Sequence, residues 1–238
     1  MYSEKVFLTS NDVDDHYELK ISALFRYLQQ VSTNHAELIG LGKKDTVDKG
    51  MFWVITRMKV VIHKLPKMLE TIIVSTHPGK TSIFMFPRFY EVHSEKGELL
   101  IQASASWVLL DLITHRVKMK PFADDFEVPY EISENDIALP EKVVHTSLNF
   151  LEERKVRYSD IDLNGHLNNT KYIEYIIDVH DKKFYEQYRV KEITINYEKE
   201  INDGDIVTLS SDNQIPEIIV GELKETRSFT AKIDYQKR

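Results

Sequence analysis

The chain has 238 residues, a formal net charge of −7, 42% hydrophobic and 29% charged side chains, and no cysteine. That composition suits one large or two small globular domains and is unlike that of a disordered or fibrous chain. The acidic balance argues against a general nucleic-acid binder, and the missing thiols exclude disulfides, thiolate metal sites and a cysteine nucleophile.

The N-terminal stretch "MYSEKVFLTSNDVDDHYELK" lacks the apolar core of a signal peptide. No apolar run approaches the ~18 residues of a membrane span. A cytoplasmic protein with no membrane partner is therefore expected. A helix is predicted from Ser22 to about Gly40, with Leu24, Tyr27, Leu28, Val31, His35 and Leu38 on one face. Ser22 is the expected N-cap, and Gly40 and Gly42 the stops. Strands are predicted in "MFWVITRMKVVIH", "TIIVSTHPG", "SIFMFPRFYEVH" and "ELLIQASASWVLLDLITHRV".

From Pro121 to about Thr146, prolines and acids mark a connector too long for an ordinary loop within one domain. The same order then returns. The strand "LNFLEERKVRY" leads to "SDIDLNGHLNN" and a helix carrying Ile173, Ile176, Ile177, His180 and Phe184 at helical spacing. The strands "KEITINYEKE", "DIVTLSS", "PEIIVGELKE" and "SFTAKIDYQ" follow. The fold expected is α+β: a tandem, or double, hot-dog, each repeat a long helix wrapped by an antiparallel sheet. Residues 1–130 form the first repeat, 131–146 a linker and 147–238 the second.

Aligning Asp12-Val13-Asp14 with Asp160-Ile161-Asp162 sets His16 opposite Asn164 and Glu18 opposite His166. Both copies keep the acidic frame, and only the second has Asn and His in phase. The stretch 160–169 holds two Asp, three Asn and one His, more short polar side chains than a turn requires. Asn164-Gly165 is a strong hairpin signal by itself, but the helical period after it weighs against a hairpin. Asn168 or Asn169 is the expected N-cap.

"RYSDIDLNGHLNNTKYIEY" and, further on, "INYEKEINDGD" resemble the acyl-acyl carrier protein thioesterases of plants and bacteria. "SALFRYLQQVSTNHAELIGLG", "FWVITRMKVVIHKLP" and "ASASWVLLDLITHRVKMKP" are similar to that family's first repeat, so the resemblance runs from about Val6 to Tyr235. It implies a catalytic loop of Asp162, Asn164 and His166 with a catalytic glutamate at Glu200. Plant members carry a cysteine after that glutamate, where this chain has Ile201. It also implies hydrolysis of fatty acyl-carrier protein to free fatty acid, ending fatty acid synthesis. The acyl tail would lie in the first repeat, near the first helix and Met51, Trp53 and Ile55.

Such chemistry needs an activated water or nucleophile, a stabilised oxyanion and a dry slot for the tail. Glu200 is the expected general base, with Asn164 and His166 binding water and the thioester carbonyl. The N–H groups of the helix N-terminus after the loop suit a developing negative charge. A rival assignment gives the nucleophile or base role to Asp162, as in related hydroxybenzoyl-CoA thioesterases. Alternatives for the whole chain are an acyl-CoA thioesterase, a non-catalytic acyl-binding protein and, last, a hot-dog dehydratase.

No cofactor is expected, and no metal, because the nine histidines form no HxH or HxxH pair. His35 and His180 are expected as packed core histidines. "GLGKKD" reads as a helix stop, since a phosphate loop needs glycine where Glu37 stands. Arg116, Lys118, Lys120, Lys43 and Lys44 are candidates for docking an acidic carrier protein. The two repeats can pair within one chain, so either a monomer or a homodimer is compatible with the sequence.

Overall fold

The β-branched and aromatic runs form strands, and the runs of helical period form helices. The computed structural model describes residues 1–119, 128–144 and 147–238. It comprises two units, Met1–Lys20 with Arg26–Pro140, and Ile21–Phe25 with Glu141–Arg238.

The first unit contains β1 (Tyr2–Phe7), most of α1 (Ile21–Leu38), α2 (Lys43–Asp48), β2 (Met51–Ile62), β3 (Thr71–Pro78), β4 (Phe86–Ser94) and β5 (Leu99–Asp111). Its strands pair antiparallel in the order β1-β3-β4-β5-β2. The register pairs Val60 with Ala103 and Val92 with Ile101, all four buried.

Along α1, Leu24, Leu28 and Val31 are fully enclosed. Ser32 Oγ donates to the Leu28 carbonyl at 2.8 Å and lies 2.8 Å from the Tyr90 hydroxyl, satisfying both buried oxygens. His35 Nδ1 lies 3.1 Å from Arg88 Nη1. Burial first, then that guanidinium, hold its pKa down at about 4. The ring is therefore neutral at pH 7, and Nδ1 can accept the Arg88 proton.

The helix cap lies two residues earlier than its sequence suggests. Lys20, not Ser22, is the N-cap, and it contributes no side-chain capping bond. Its own N–H is drawn to the Asp12 carbonyl at 2.9 Å, so the preceding loop fixes the entry. Leu38 is 69% exposed, because the helix stops there and Gly40 turns the chain away at φ +69°.

The second unit contains β6 (Asn149–Lys155), a 3-10 turn (Tyr158–Asp160), α3 (Asn169–Ile177), α4 (Lys182–Tyr185), β7 (Tyr188–Tyr197), β8 (Ile206–Ser211), β9 (Glu217–Leu223) and β10 (Thr226–Lys237). Its strands pair antiparallel in the order β7-β10-β9-β8-β6. The predicted helix running on to Phe184 is instead two pieces. The Asp181 carboxylate accepts the Phe184 N–H at 3.1 Å and caps α4 as a separate turn. His180 stacks on Phe184 with ring centroids 3.8 Å apart.

Parts of the connector are tied down by side chains of the unit they join. Ser104 Oγ donates to the Ala138 carbonyl at 2.8 Å, and the buried Glu91 carboxylate accepts from Ser133 Oγ and Asn135 Nδ2. In the second unit Asn196 Oδ1 accepts the Val143 N–H at 2.8 Å. Lys120 through Glu127, with His145 and Thr146, lie outside the described residues.

At the far end of α3 sits a buried acid. Glu217 is 2% exposed, with His180 Nε2 at 2.6 Å, Ser211 Oγ at 2.5 Å and the Tyr235 hydroxyl at 3.3 Å from its oxygens. Burial pushes its pKa up, but the hydrogen bonds from His180 and Ser211 outweigh burial and leave it below the usual glutamate value. A depressed folded-state pKa gives stability that is complete above the unfolded pKa of about 4.3 and lost as pH falls through the folded value. Glu217→Gln should therefore cost about 1–3 kcal/mol at pH 7 and flatten the loss of stability as pH falls below the ordinary glutamate range. Urea denaturation of both proteins across and below that range checks it; an unchanged acid limb would count against the network.

Candidate functional site

The loop after β6 is built by backbone bonds between its own residues. Asp160 ends the 3-10 turn, and its Oδ2 accepts the Arg157 N–H at 3.0 Å. Ile161 and Leu167 then face each other as an antiparallel pair. Between them Asp162 N–H reaches the His166 carbonyl at 2.8 Å, and Gly165 N–H reaches the Asp162 carbonyl at 3.0 Å. Gly165 has φ +86°, which glycine adopts without a steric penalty.

The Asn-Gly hairpin that the helical period weighed against is thus present. It is the turn that carries the polar side chains. The helix follows at once because Asn168, whose N–H closes on the Asp160 carbonyl at 2.9 Å, caps it. Asn168 Oδ1 accepts the Thr170 N–H at 2.9 Å, and its carbonyl accepts the Lys171 N–H at 2.8 Å. Two N–H groups expected for an oxyanion are therefore already engaged.

A second strand of contacts brings in Glu200. Leu167 N–H donates to the Ile201 carbonyl at 2.8 Å, and His166 pairs with Asn202 in an antiparallel bridge. This register sets His166 Nε2 3.3 Å from Glu200 Oε2, with the two side chains 35% and 52% exposed. The pair is open to water and to a substrate. Asp162 does something different: its Oδ1 accepts the backbone N–H of Asn164 at 2.7 Å.

Tyr172, to which the sequence assigns no role, lies beneath these residues. It is 4% exposed, and its ring packs edge-on against Tyr197 and Phe229 at 5.3 Å each. Burial, then the charges of Glu200 and Asp162, push its hydroxyl pKa well above the ordinary tyrosine range. The hydroxyl thus stays protonated beside two carboxylates. Phe229 is itself fully buried, and a Cβ on Gly221 of β9 would lie 2.0 Å from its ring. Only glycine there leaves room for the ring that backs Tyr172. The one signal of Tyr172 in the sequence is its place in the NN-x-x-Y continuation after the loop.

In the first unit, Met51 and Ile55 are buried. Half-buried Trp53 donates through Nε1 to the Leu41 carbonyl at 2.9 Å and meets Phe86 edge-on at 4.9 Å. With Leu41, Met51, Phe86 and Leu109 it forms an apolar cluster. Of the docking candidates, Lys118 Nζ is paired with Asp111 at 2.7 Å across the turn after β5, and Lys120 lies outside the described residues. Among the described residues no group of three or more His, Asp or Glu is arranged to hold a metal ion. Among them, too, no helix is long and apolar enough to cross a membrane.

Residues 1–130 match the family model for the acyl-ACP thioesterase N-terminal domain, and 145–237 the model for its C-terminal domain. The chain is 27% identical to a chloroplastic palmitoyl-acyl carrier protein thioesterase of Gossypium hirsutum, across 93% of this chain and 58% of that one. It therefore spans little more than half of that relative. A solved acyl-ACP thioesterase of Bacteroides thetaiotaomicron matches with a TM-score of 0.88 at 21% identity, over 99% of this chain and 97% of the other. The 12:0-ACP thioesterase of Umbellularia californica matches with a TM-score of 0.85 at 18% identity, over 100% and 97%. These two likenesses establish the fold, a tandem hot-dog.

The cap gives a prediction. Asn168→Ala should lower stability by about 1 kcal/mol through the lost Thr170 bond, read as a shift of the urea midpoint at unchanged m-value.

Proposed function

Because the chain belongs to the acyl-ACP thioesterase family, we propose that it hydrolyses the thioester of a fatty acyl-carrier protein, releasing free fatty acid and the carrier. The observation that carries this reading is the His166–Glu200 contact at 3.3 Å, held open to solvent beside a capped helix N-terminus. Glu200 takes a proton from water as the water oxygen bonds to the thioester carbonyl carbon. The side chains of Asn164 and His166 donate to the oxygen that becomes negative. Collapse of the tetrahedral intermediate breaks the carbon–sulfur bond, and the proton held by Glu200 passes to the departing thiolate. No protein thiol takes part, since the chain has none.

The first repeat, residues 1–130, takes the acyl tail in this reading, with the Trp53–Phe86 cluster as part of its apolar wall. Each methylene buried there contributes about 0.8 kcal/mol, about fourfold in kcat/KM, so a length optimum marks the depth of the slot. The partner is an acyl carrier protein, and a cytoplasmic setting belongs to the same proposal.

The test is thiol release from saturated acyl chains of graded length, each presented on carrier protein and on CoA. Faster release from the carrier form at matched length supports the proposal, whereas preference for CoA makes the chain an acyl-CoA thioesterase. Absence of release from either would leave an acyl-binding protein. Glu200→Gln should lower kcat by about 10²–10⁴ with little change in KM. Near-normal turnover in that variant would remove Glu200 from the base role.

A further inference from the structure

The chain contains its own control for the site. At an offset of 148 residues, from Asp14 to Asp162, the loop of the second unit has a bond-for-bond counterpart in the first. Asp14 N–H donates to the Glu18 carbonyl at 2.9 Å, as Asp162 N–H does to His166 at 2.8 Å. Tyr17 N–H donates to the Asp14 carbonyl at 3.1 Å, as Gly165 N–H does to Asp162 at 3.0 Å. Leu19 N–H reaches the Pro66 carbonyl at 2.9 Å, matching Leu167 and Ile201 at 2.8 Å. Lys20 N–H reaches the Asp12 carbonyl at 2.9 Å, matching Asn168 and Asp160 at the same distance. Even the left-handed residue recurs, Tyr17 at φ +61° against Gly165 at +86°.

Within this shared frame the side chains differ at all three positions expected to do chemistry. His16 replaces Asn164, Glu18 replaces His166, and Leu65, buried at 6% exposure, replaces Glu200. The aspartate does not differ, and its bond to the backbone two residues on is common to both copies. Asp14 Oδ1 accepts the N–H of His16 at 2.9 Å and of Glu18 at 3.0 Å, as Asp162 Oδ1 accepts that of Asn164 at 2.7 Å. A nucleophile or base would have no task in the first copy, where no histidine stands at the position of His166 and no carboxylate at that of Glu200. A carboxylate that folds the turn has the same task in both.

We infer that Asp162 is a positioning residue: its carboxylate holds the backbone of the turn and so aims Asn164 and His166, and it neither attacks the thioester nor activates the water. The inference rests on the thioesterase reading above and decides between the two assignments that the sequence leaves open.

Asparagine keeps an oxygen acceptor at Oδ1 but has neither the charge nor the basicity of aspartate. The test compares Asp162→Asn with Asp162→Ala for kcat, KM and the pH dependence of kcat. Hydrogen exchange at the Asn164 amide reports the turn itself. Asp162→Asn should lose no more than about tenfold in kcat and keep the wild-type pH profile and amide protection. Asp162→Ala should lose at least about a hundredfold in kcat together with that protection, because the side chains are no longer aimed. A folded Asp162→Asn variant that falls by about 10³ or more, with the amide still protected, would overturn the inference and restore Asp162 as base or nucleophile. If the alanine variant does not fold, the asparagine variant decides alone. Failure of the wild-type chain to release thiol from any acyl thioester would instead overturn the thioesterase reading. The amide exchange still tests the turn in that case: protection retained in a folded Asp162→Ala variant counts against the positioning role.

Discussion

The site depends on one backbone hydrogen bond, from Leu167 N–H to the Ile201 carbonyl at 2.8 Å. Asn164 and His166 belong to the loop before α3, and Glu200 to the segment after β7. Nothing in their own side chains is strong enough to bring them together. An exposed ion pair is worth about 0–1 kcal/mol, and His166 and Glu200 are 35% and 52% exposed. The pair is therefore a consequence of backbone register, not its cause. A slip of one residue would turn His166 away from Glu200, as it would in any strand pairing. The energy that holds the register comes from the buried neighbours Leu167, Ile173, Ile176 and Ile201.

Much of this was legible in the sequence because the loop is written twice. The alignment of His16 with Asn164 and Glu18 with His166 needs only the repeated Asp-x-Asp frame, and the hydrogen bonds follow that alignment. Periodicity also located both main helices, and the β-branched and aromatic runs located the strands other than β1. What could not be read were features set by contacts distant in the chain. The start of α1 depends on the Asp12 carbonyl, and its stretch of sequence alone favours Ser22. The end of α3 depends on Asp181 capping its own turn, which the helical spacing of His180 and Phe184 conceals. The pairing of Lys118 with Asp111 requires knowing where β5 turns. Tyr172 was in view as part of a motif, but its importance comes from Glu200, Asp162 and Phe229, which only the fold assembles.

The two copies also illustrate how a chain separates scaffold from chemistry. Pinning aspartates, turn bonds and the left-handed residue are retained in a copy that has glutamate at the position of His166 and leucine at that of Glu200. The frame must therefore be self-sufficient, which fits its construction from local backbone bonds. The first copy's Tyr17 sits at positive φ despite the cost of about 1–2 kcal/mol that a side chain carries there. The second has glycine, and a methyl group at Gly165 would meet only open space. The active-looking copy is thus the less strained and the less covered of the two.

Gly221 makes the site sensitive to a strand that never touches it. The hydrogen atom on its Cα leaves the space into which Phe229 fits, and Phe229 supports the ring of Tyr172. Well-packed interiors transmit displacement instead of absorbing it. Sequence drift on β9 is therefore constrained by events at the loop, and a survey that looked only at residues near the substrate would take that constraint for ordinary core packing.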